Sequence, residues 1–174
     1  MGQRVLASLL LVAIAPLLLV VAALVLLLDG RPVVFRQHRL GRDKVPFEIL
    51  KLRTMAGGEI TRLGGVLRRT GIDELPQLVN IARGDMRFIG PRPLTSYDVE
   101  RLGWAGPEYA DRWLVSPGLT GYAQFAPVCD KELSHRLDDF YARERTLWLD
   151  VKITAASAAV LVLGKRRVKG LMFR

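Results

Sequence analysis

An apolar segment near the start of the chain constrains the fold more than any other feature. Val5–Leu28 contains 24 residues, and Ser8 is its only polar side chain. A straight helix of this length would measure ~36 Å, enough for the ~30 Å hydrocarbon core of a bilayer. The segment is long for the apolar part of a secretory signal, and "LLLDGRPVVF" makes a poor cleavage site. We therefore predict a membrane segment that is retained in the protein.

Pro16 lies in the middle of this segment. It removes one backbone donor and divides the run into halves of only ~16–20 Å, neither of which spans a bilayer alone. A kinked helix could cross the membrane, because prolines are tolerated there, or the helix could bend and return to the face it entered. Positive side chains precede and follow the run, at Arg4 and Arg31, and such charges favour the cytoplasmic face. The residues alone leave both topologies open.

The chain is basic and has one cysteine. It has 26 Lys and Arg against 17 Asp and Glu, a net charge of +9, which favours phosphates on nucleotides, anionic lipids or nucleic acids. Cys129 cannot form an internal disulfide, and no zinc-ligand set can be assembled from it with His38 and His135. The basic "GKRRVKG" near the end is either a solvated tail or a contact for anionic lipid.

Residues 33–53 predict a β-hairpin. "VVFRQHRL" and "VPFEILKLR" are rich in β-branched and aromatic residues, "GRDK" joins them, and Pro46 suggests a strand start. "AGGE" then predicts a flexible break, and residues 61–86 are typical of short helices that three glycines punctuate: Gly64, Gly65 and Gly71.

Two further stretches carry apolar residues. Residues 95–114 mix aromatic and charged side chains, a composition typical of helices at a membrane interface. Val151–Leu163 is too short to span a bilayer, so it is expected at the interface or in a packed core.

Asp73 and Glu74 are adjacent carboxylates. Thr70 stands three residues before Asp73, which resembles a capping box and places both acids in the first turn of a helix. Acids are common there for structural reasons alone, because the helix dipole favours them. Adjacent acids can also hold Mg²⁺, or attack phosphorus while moving a proton. Guanidinium groups match phosphate geometry, and five arginines lie nearby in the sequence: Arg68, Arg69, Arg83, Arg87 and Arg92.

The chain resembles a known family, the bacterial sugar transferases, in their small form, the monotopic phosphoglycosyl transferases. "RRTGIDELPQLVNIARGDMRFIGPRP" is similar to the core signature of that family, and "FRQHRLGRDKVPFEILKLRTM" to its N-terminal hairpin. "VSPGLTGYAQ" and "DDFYARERTLWLDVKI" resemble its later motifs. The resemblance implies an enzyme that moves a phosphosugar from a UDP-sugar to a polyprenyl phosphate, releasing UMP. It also implies Mg²⁺ and a covalent phosphosugar-enzyme intermediate.

The resemblance implies roles for individual residues. Asp73 would be the nucleophile and a ligand of Mg²⁺, with Glu74 as its acid–base partner. Asp138 matches a family acid three residues before a tyrosine, and Asp139 beside it leaves that alignment open. Five residues fall where the family keeps phosphate- and nucleotide-binding groups: Lys51, Arg68, Pro91, Arg92 and Pro93.

Three departures from the family pattern are visible. The "AGGEI" insert is brief, "FAPV" after "GYAQ" lacks an expected arginine, and the helix break reads Ala15-Pro16 where Ser-Pro is common. The first two bear on sugar contacts more than on phosphoryl chemistry. The transferred sugar is not predicted.

We therefore expect an α+β, mostly helical fold at the cytosolic face of a bacterial inner membrane. Residues 1–30 form a re-entrant membrane helix broken at Pro16, which becomes the favoured topology because both substrates meet the site on one face. Residues 31–174 form one catalytic domain with a small β-hairpin and interfacial helices. The expected partners are a UDP-sugar, polyprenyl phosphate and membrane lipids, with no nucleic acid; a homodimer is left open. A membrane-tethered basic binding module or scaffold without catalysis is the alternative.

Overall fold

A computed structural model describes residues 1–125 and 130–163. Cys129, the "APV" before it and the basic "GKRRVKG" stretch lie outside the described residues. The chain forms two compact units: unit 1 comprises Met1–His38 and Glu48–Gly84, and unit 2 comprises Arg39–Phe47 and Asp85–Arg174. Helices dominate and the sheets are small, which confirms the predicted fold class. The helices are α1 (Gly2–Asp29), α2 (Arg62–Thr70), α3 (Gln77–Arg83), α4 (Ser96–Leu102), α5 (Lys131–Glu144) and α6 (Leu147–Leu163), and the strands are β1 (Val34–Leu40), β2 (Pro46–Leu52), β3 (Met55–Ala56), β4 (Glu59–Ile60), β5 (Arg87–Ile89) and β6 (Gly118–Thr120).

The first helix, α1, is long and apolar enough to cross a membrane, judged by its length and composition alone. Most of its side chains are exposed, whereas Ala7, Val21 and Val25 are buried. Pro16 lies inside the helix, which continues on both sides of it. The helix is therefore continuous at Pro16, where the sequence predicted a break. The return of the segment to the face it entered stays a prediction, as does the domain boundary at residue 30.

Both ends of α1 are bonded to other parts of unit 1. At the start, Arg4 donates from Nε to the Ala82 carbonyl at 3.0 Å and from Nη2 to the Arg83 carbonyl at 2.6 Å. At the end, the Thr61 hydroxyl donates to Asp29 Oδ2 at 2.8 Å. The helix therefore contacts the C-terminus of α3 with its first turn and the N-cap of α2 with its last residue.

The predicted hairpin at residues 33–53 is present as the two-stranded sheet of β1 and β2. Pro46 begins β2, as predicted. Proline has no N–H to donate, and the first residue of a strand can do without that hydrogen bond. The "AGGE" stretch differs from the prediction of a flexible break. It turns tightly between β3 and β4, which pair antiparallel. Gly57 and Gly58 have φ values of 59° and 86°, which suit glycine.

The glycines of α2 have unequal roles. Gly71 ends the helix in the left-handed conformation, with φ of 73°, as the sequence predicted. Gly64 and Gly65, in contrast, lie inside the helix and do not punctuate it. A Cβ at Gly64 would lie 2.2 Å from the Thr54 carbonyl oxygen, whereas one at Gly65 would meet nothing within 4 Å. Gly64 therefore allows α2 to lie directly on the backbone that follows β2.

The capping box predicted at Thr70 is wrong. Thr70 is the last residue of α2, and its hydroxyl donates back to the carbonyls of Val66 and Leu67 at 3.0 and 3.1 Å. This back-bonding is available to a threonine inside a helix, and it competes with capping the next one. The short 3₁₀ helix Ile72–Glu74 that follows is preceded by Gly71, which contributes no side-chain cap.

Unit 2 contains a small parallel sheet and the helices α4, α5 and α6. β5 pairs with β6, with Arg87 opposite Gly118 and Ile89 opposite Thr120. The apolar run at residues 151–163 lies in α6, and its Ile153 is fully buried. Ile153 and Ala156 therefore lie in a packed core, whereas Val151 and Thr154 of the same run are exposed, so the interfacial location stays a prediction. This core cluster contains Ile89, Phe125, Tyr141, Ile153 and Ala156.

The interfacial prediction for residues 95–114 is wrong for the two tryptophans. Trp104 and Trp113 are only 4% and 7% exposed, and they pack with Leu94 and Val99 in a core of unit 2. Tryptophan is common both in cores and at membrane interfaces, so composition alone does not separate the two. Tyr97 is exposed in this stretch.

The contrast between the two glycines of α2 gives a stability prediction. Gly64→Ala should lower the free energy of unfolding by about 2–3 kcal/mol, because the added methyl group collides with backbone that cannot move easily. Gly65→Ala, its matched control, should raise it by about 0.5–1 kcal/mol through helix propensity. Thermal unfolding of the detergent-solubilised proteins measures both. Equal effects at the two positions would contradict the close approach at Gly64.

Candidate active site

The adjacent acids lie in the short 3₁₀ helix between α2 and α3. Asp73 is 7% exposed, and its neighbour Glu74 is paired with a lysine from β2. The distance from Lys51 Nζ to Glu74 Oε1 is 2.6 Å. The turn at Gly71 places the acids directly after α2, so that they face the strand that carries Lys51.

Arg68 completes this group from the last turn of α2. Its Nε donates to the Thr54 hydroxyl at 2.8 Å. Burial raises the pKa of Asp73 above its usual value, and the charge of Glu74 raises it further, while Lys51 and then Arg68 act in the opposite direction. Four residues predicted from the sequence therefore converge in unit 1. We call them the Asp73 cluster: Lys51, Arg68, Asp73 and Glu74.

Asn80 positions this cluster, and the sequence interpretation missed it. Its side chain is fully buried. Oδ1 accepts from the Leu50 N–H at 3.1 Å, and Nδ2 donates to the Glu48 carbonyl at 2.7 Å. The amide thus binds β2 to α3 one residue before Lys51. The available signal was an asparagine between the apolar residues of "LVNIA", since a buried polar side chain requires partners.

The Asp73 cluster fits the expected Mg²⁺. Within residues 1–125 and 130–163, no three His, Cys, Asp or Glu side chains are grouped closely enough to form a metal site from protein alone. Asp73 and Glu74 offer adjacent carboxylates. Mg²⁺ is usually bound through one or two carboxylates together with substrate phosphates and water. The two carboxylates are compatible with such an ion, and the binding of Mg²⁺ stays a prediction.

The remaining predicted residues lie in unit 2. Pro91 and Pro93 are buried, while Arg92 between them is exposed. The Arg92 carbonyl accepts from Arg112 Nη2 at 3.0 Å. The two prolines fix the backbone on either side of Arg92, as expected from their restricted φ, and the exposed Arg92 side chain is accessible to a ligand.

Asp138 and Asp139, which the sequence could not separate, have different partners. Asp138 is 3% exposed, and its Oδ2 accepts from Arg112 Nη2 at 3.0 Å. Burial raises the pKa of Asp138 to about 6, against the opposing effect of Arg112. Asp139 lies 2.9 Å from His135 Nε2. Asp138 therefore acts on Arg92 through Arg112, and a direct contact with substrate stays a prediction.

The family follows from comparison with known proteins. The model of the family described as "Bacterial sugar transferase" matches residues 1–164. The chain belongs to the bacterial sugar transferase family. The resemblance that the DELPQ…GPRP block carries is thereby confirmed.

Two curated relatives of this chain carry different sugars in their names, and a third carries none. A UDP-glucose:undecaprenyl-phosphate glucose-1-phosphate transferase of Caulobacter vibrioides is 38% identical over 90% of the chain and 66% of its own length. A UDP-N-acetylgalactosamine-undecaprenyl-phosphate N-acetylgalactosaminephosphotransferase of Aeromonas hydrophila is 33% identical over 94% of the chain and 43% of its own length. An uncharacterized sugar transferase of Bacillus subtilis is 35% identical over 79% of the chain and 73% of its own length. The chain thus spans less than two thirds of the first two relatives.

The charges of the Asp73 cluster give a titration prediction. In the metal-free protein, Glu74→Gln should lower the pKa of Asp73, because a neighbouring negative charge is removed. Lys51→Met should raise it, because a positive charge that favours the carboxylate is removed. Carbon-13 NMR of carboxyl-labelled aspartate measures the titration, and Asp73→Asn assigns the signal. Glu59→Gln, at an exposed site of unit 1, should leave the pKa unchanged. Shifts of the opposite sign would contradict the arrangement.

Proposed function

We propose that the chain transfers a sugar-1-phosphate from a UDP-sugar to a polyprenyl phosphate, such as undecaprenyl phosphate, and releases UMP. The observation that carries the proposal is the buried Asp73 carboxylate with Glu74, Lys51 and Arg68 around it. Arginine and lysine side chains suit phosphate oxygens, and a carboxylate among them can act as a nucleophile toward phosphorus. The names of the relatives support the same reaction class.

In the first step a carboxylate oxygen of Asp73 attacks the phosphorus that bears the sugar. A bond forms between this oxygen and phosphorus, and the bond from phosphorus to the bridging oxygen of the diphosphate breaks. UMP leaves with the bridging oxygen and its electron pair. Lys51 and Arg68 stabilise the charge that develops on the phosphoryl oxygens. The sugar phosphate is then held on Asp73 as an acyl phosphate.

In the second step an oxygen of the lipid phosphate attacks the same phosphorus. The bond from phosphorus to the Asp73 carboxylate breaks, which releases the polyprenyl diphosphate sugar and restores the free carboxylate. Glu74 accepts the proton of the incoming phosphate when that group arrives protonated. Lys51 Nζ lies 2.6 Å from Glu74 Oε1, so a cation stands beside the carboxylate that would take up this proton.

Mg²⁺ belongs to the proposal as a cofactor. Asp73, with Glu74 beside it, would hold the ion, which supplies charge neutralisation on the diphosphate when bound. Asp73 would serve as both ligand and nucleophile through its two carboxylate oxygens. Lys51 and Arg68 would stabilise the remaining negative charge on the phosphoryl oxygens.

The way in which α1 is held supports a proposal for the membrane geometry. Its two ends, Arg4 and Asp29, are both bonded to unit 1. A straight helix of 28 residues would measure ~42 Å, whereas a compact body formed by the other residues of unit 1 would be only about 25 Å across. A bend at Pro16, where proline kinks are expected, reconciles the two lengths. We therefore include a re-entrant helix and a cytoplasmic catalytic face in the proposal.

The nucleophile assignment gives a direct test. Wild-type protein given a UDP-sugar without lipid phosphate should release about one UMP per enzyme and retain the sugar phosphate covalently. Asp73→Asn should release none and should lose about 10³-fold or more in turnover when undecaprenyl phosphate is supplied. A panel of UDP-sugars, including UDP-glucose and UDP-N-acetylgalactosamine, with UMP release as the readout, also identifies the sugar.

The matched control for this test is Glu59→Gln, which changes an exposed acid of unit 1 and should keep full activity. Retained activity in Asp73→Asn would exclude Asp73 as the nucleophile. Turnover without a covalent sugar phosphate in the wild type would favour direct transfer to the lipid.

The re-entrant topology gives a labelling prediction. After Cys129→Ser removes the one native thiol, single cysteines are placed at Gly2, Arg31 and Glu59, which are exposed. A membrane-impermeant maleimide should label all three from the cytoplasmic side, because both ends of α1 share the face of the catalytic acids. Labelling of Gly2→Cys from the opposite side only would show that the helix spans the bilayer.

A further inference from the structure

The loop that carries Arg92 is held by its main-chain carbonyls. Two of its four residues are prolines, which lack an N–H, so the loop cannot pair as an ordinary strand. Instead, each of four successive carbonyls accepts a hydrogen bond from elsewhere in unit 2. Pro91 accepts from Gly118 N at 2.9 Å, Arg92 from Arg112 Nη2 at 3.0 Å, Pro93 from Arg39 Nη1 at 3.1 Å, and Leu94 from Leu40 N at 2.8 Å.

Two of these donors are guanidinium groups, and both are held by other contacts. Arg112 is 2% exposed, and its Cζ lies 5.1 Å from the ring centroid of Trp104 and 4.8 Å from that of Trp113. Asp138 balances its charge at 3.0 Å. Cation–π contacts and a buried ion pair fix the guanidinium in one orientation. Its donor to the Arg92 carbonyl is therefore placed before any ligand arrives.

Arg39 is held in a similar way. Its Nη1 lies 3.2 Å from Asp98 Oδ2, and the same nitrogen donates to the Pro93 carbonyl. Asp98 is itself fixed by the capping box that it forms with Thr95 at the start of α4. Burial lowers the pKa of Arg39, Asp98 opposes this effect, and the like charge of Arg92 lowers the pKa further. Arg39 and Arg92 therefore lie close enough to repel each other unless an anion binds.

We infer that Arg39 and Arg112 are positioning residues that hold the Arg92 loop for a phosphate group of the nucleotide. The inference rests on the proposed function, which supplies the phosphate. Their guanidinium groups act on the backbone of the loop, while the exposed Arg92 side chain contacts the ligand. Because Arg39 and Arg92 repel each other, a bound phosphate offsets that repulsion. Preorganisation of the loop lowers the entropy cost of fixing Arg92 on binding.

A calorimetric double-mutant cycle tests this inference, with UDP and Mg²⁺ as the probe and the detergent-solubilised full chain as the protein. Arg39→Met should weaken UDP binding about tenfold, the size expected for loss of one hydrogen bond made by a charged group. Arg101→Met is its matched control, because Arg101 shares the partner Asp98 at 3.5 Å without a bond to the loop. It should change the Kd less than twofold.

Arg112 requires a variant that still folds. Arg112→Met alone would leave Asp138 buried without a countercharge, so Arg112→Met is combined with Asp138→Asn. This pair should also weaken UDP binding about tenfold. Arg136→Met, at a side chain that is 74% exposed, is the control. In an Arg92→Met background, neither Arg39→Met nor the Arg112 pair should weaken binding further, because both act through Arg92.

Hydrogen exchange separates this inference from the proposed function. The amides of Leu40 and Gly118, which donate to the Leu94 and Pro91 carbonyls of the loop, should exchange faster in Arg39→Met and in the Arg112 pair than in either control. Wild-type protein that failed to bind UDP would refute the proposed nucleotide site, while exchange would still decide whether the guanidinium groups hold the loop. Unchanged exchange together with unchanged Kd, or equal weakening in the presence and absence of the Arg92 side chain, would overturn the inference.

Discussion

The side-chain amide of Asn80 is the contact on which the Asp73 cluster depends. A strand with one neighbour leaves carbonyl and N–H groups of its other edge to be satisfied, and Asn80 satisfies two of them on β2, at Glu48 and Leu50. Because Lys51 follows directly, the same contact sets the distance at which its ammonium meets Glu74. The close approach at Gly64 brings α2 onto this strand end in the same way. The proposed phosphoryl transfer would need this rigidity, since such chemistry depends on placement of charge.

Much of the fold could be predicted because its signals are local. The length of the apolar run predicts α1, and the β-branched segments around "GRDK" predict the sheet of β1 and β2. Four residues of the Asp73 cluster could be assigned because the resemblance places them in one short block and one strand. The resemblance, and not the spacing of these residues in the sequence, predicted that they would converge. Lys51 and Glu74 do so at 2.6 Å.

The rest could not be predicted because it depends on tertiary contacts. Thr70 has the spacing of a cap, yet α2 extends through it and its hydroxyl turns back to Val66. Trp104 and Trp113 have the composition of a membrane interface, yet they shelter the guanidinium of Arg112. Nothing local in a sequence distinguishes an arginine that binds phosphate from one that binds a carbonyl.

This last distinction changes how the net charge of +9 is interpreted. A basic chain suggests an anionic partner, but several arginines here are used internally. Arg4 bonds the last carbonyls of α3, Arg53 those at the end of α1, and Arg39 and Arg112 those of the Arg92 loop. The planar fork of guanidinium suits this task, which lysine performs less well. The charge is therefore weak support for nucleic-acid binding. Several of its arginines stabilise the ends of helices and one loop, so the charge available to an anionic ligand is smaller than the total suggests.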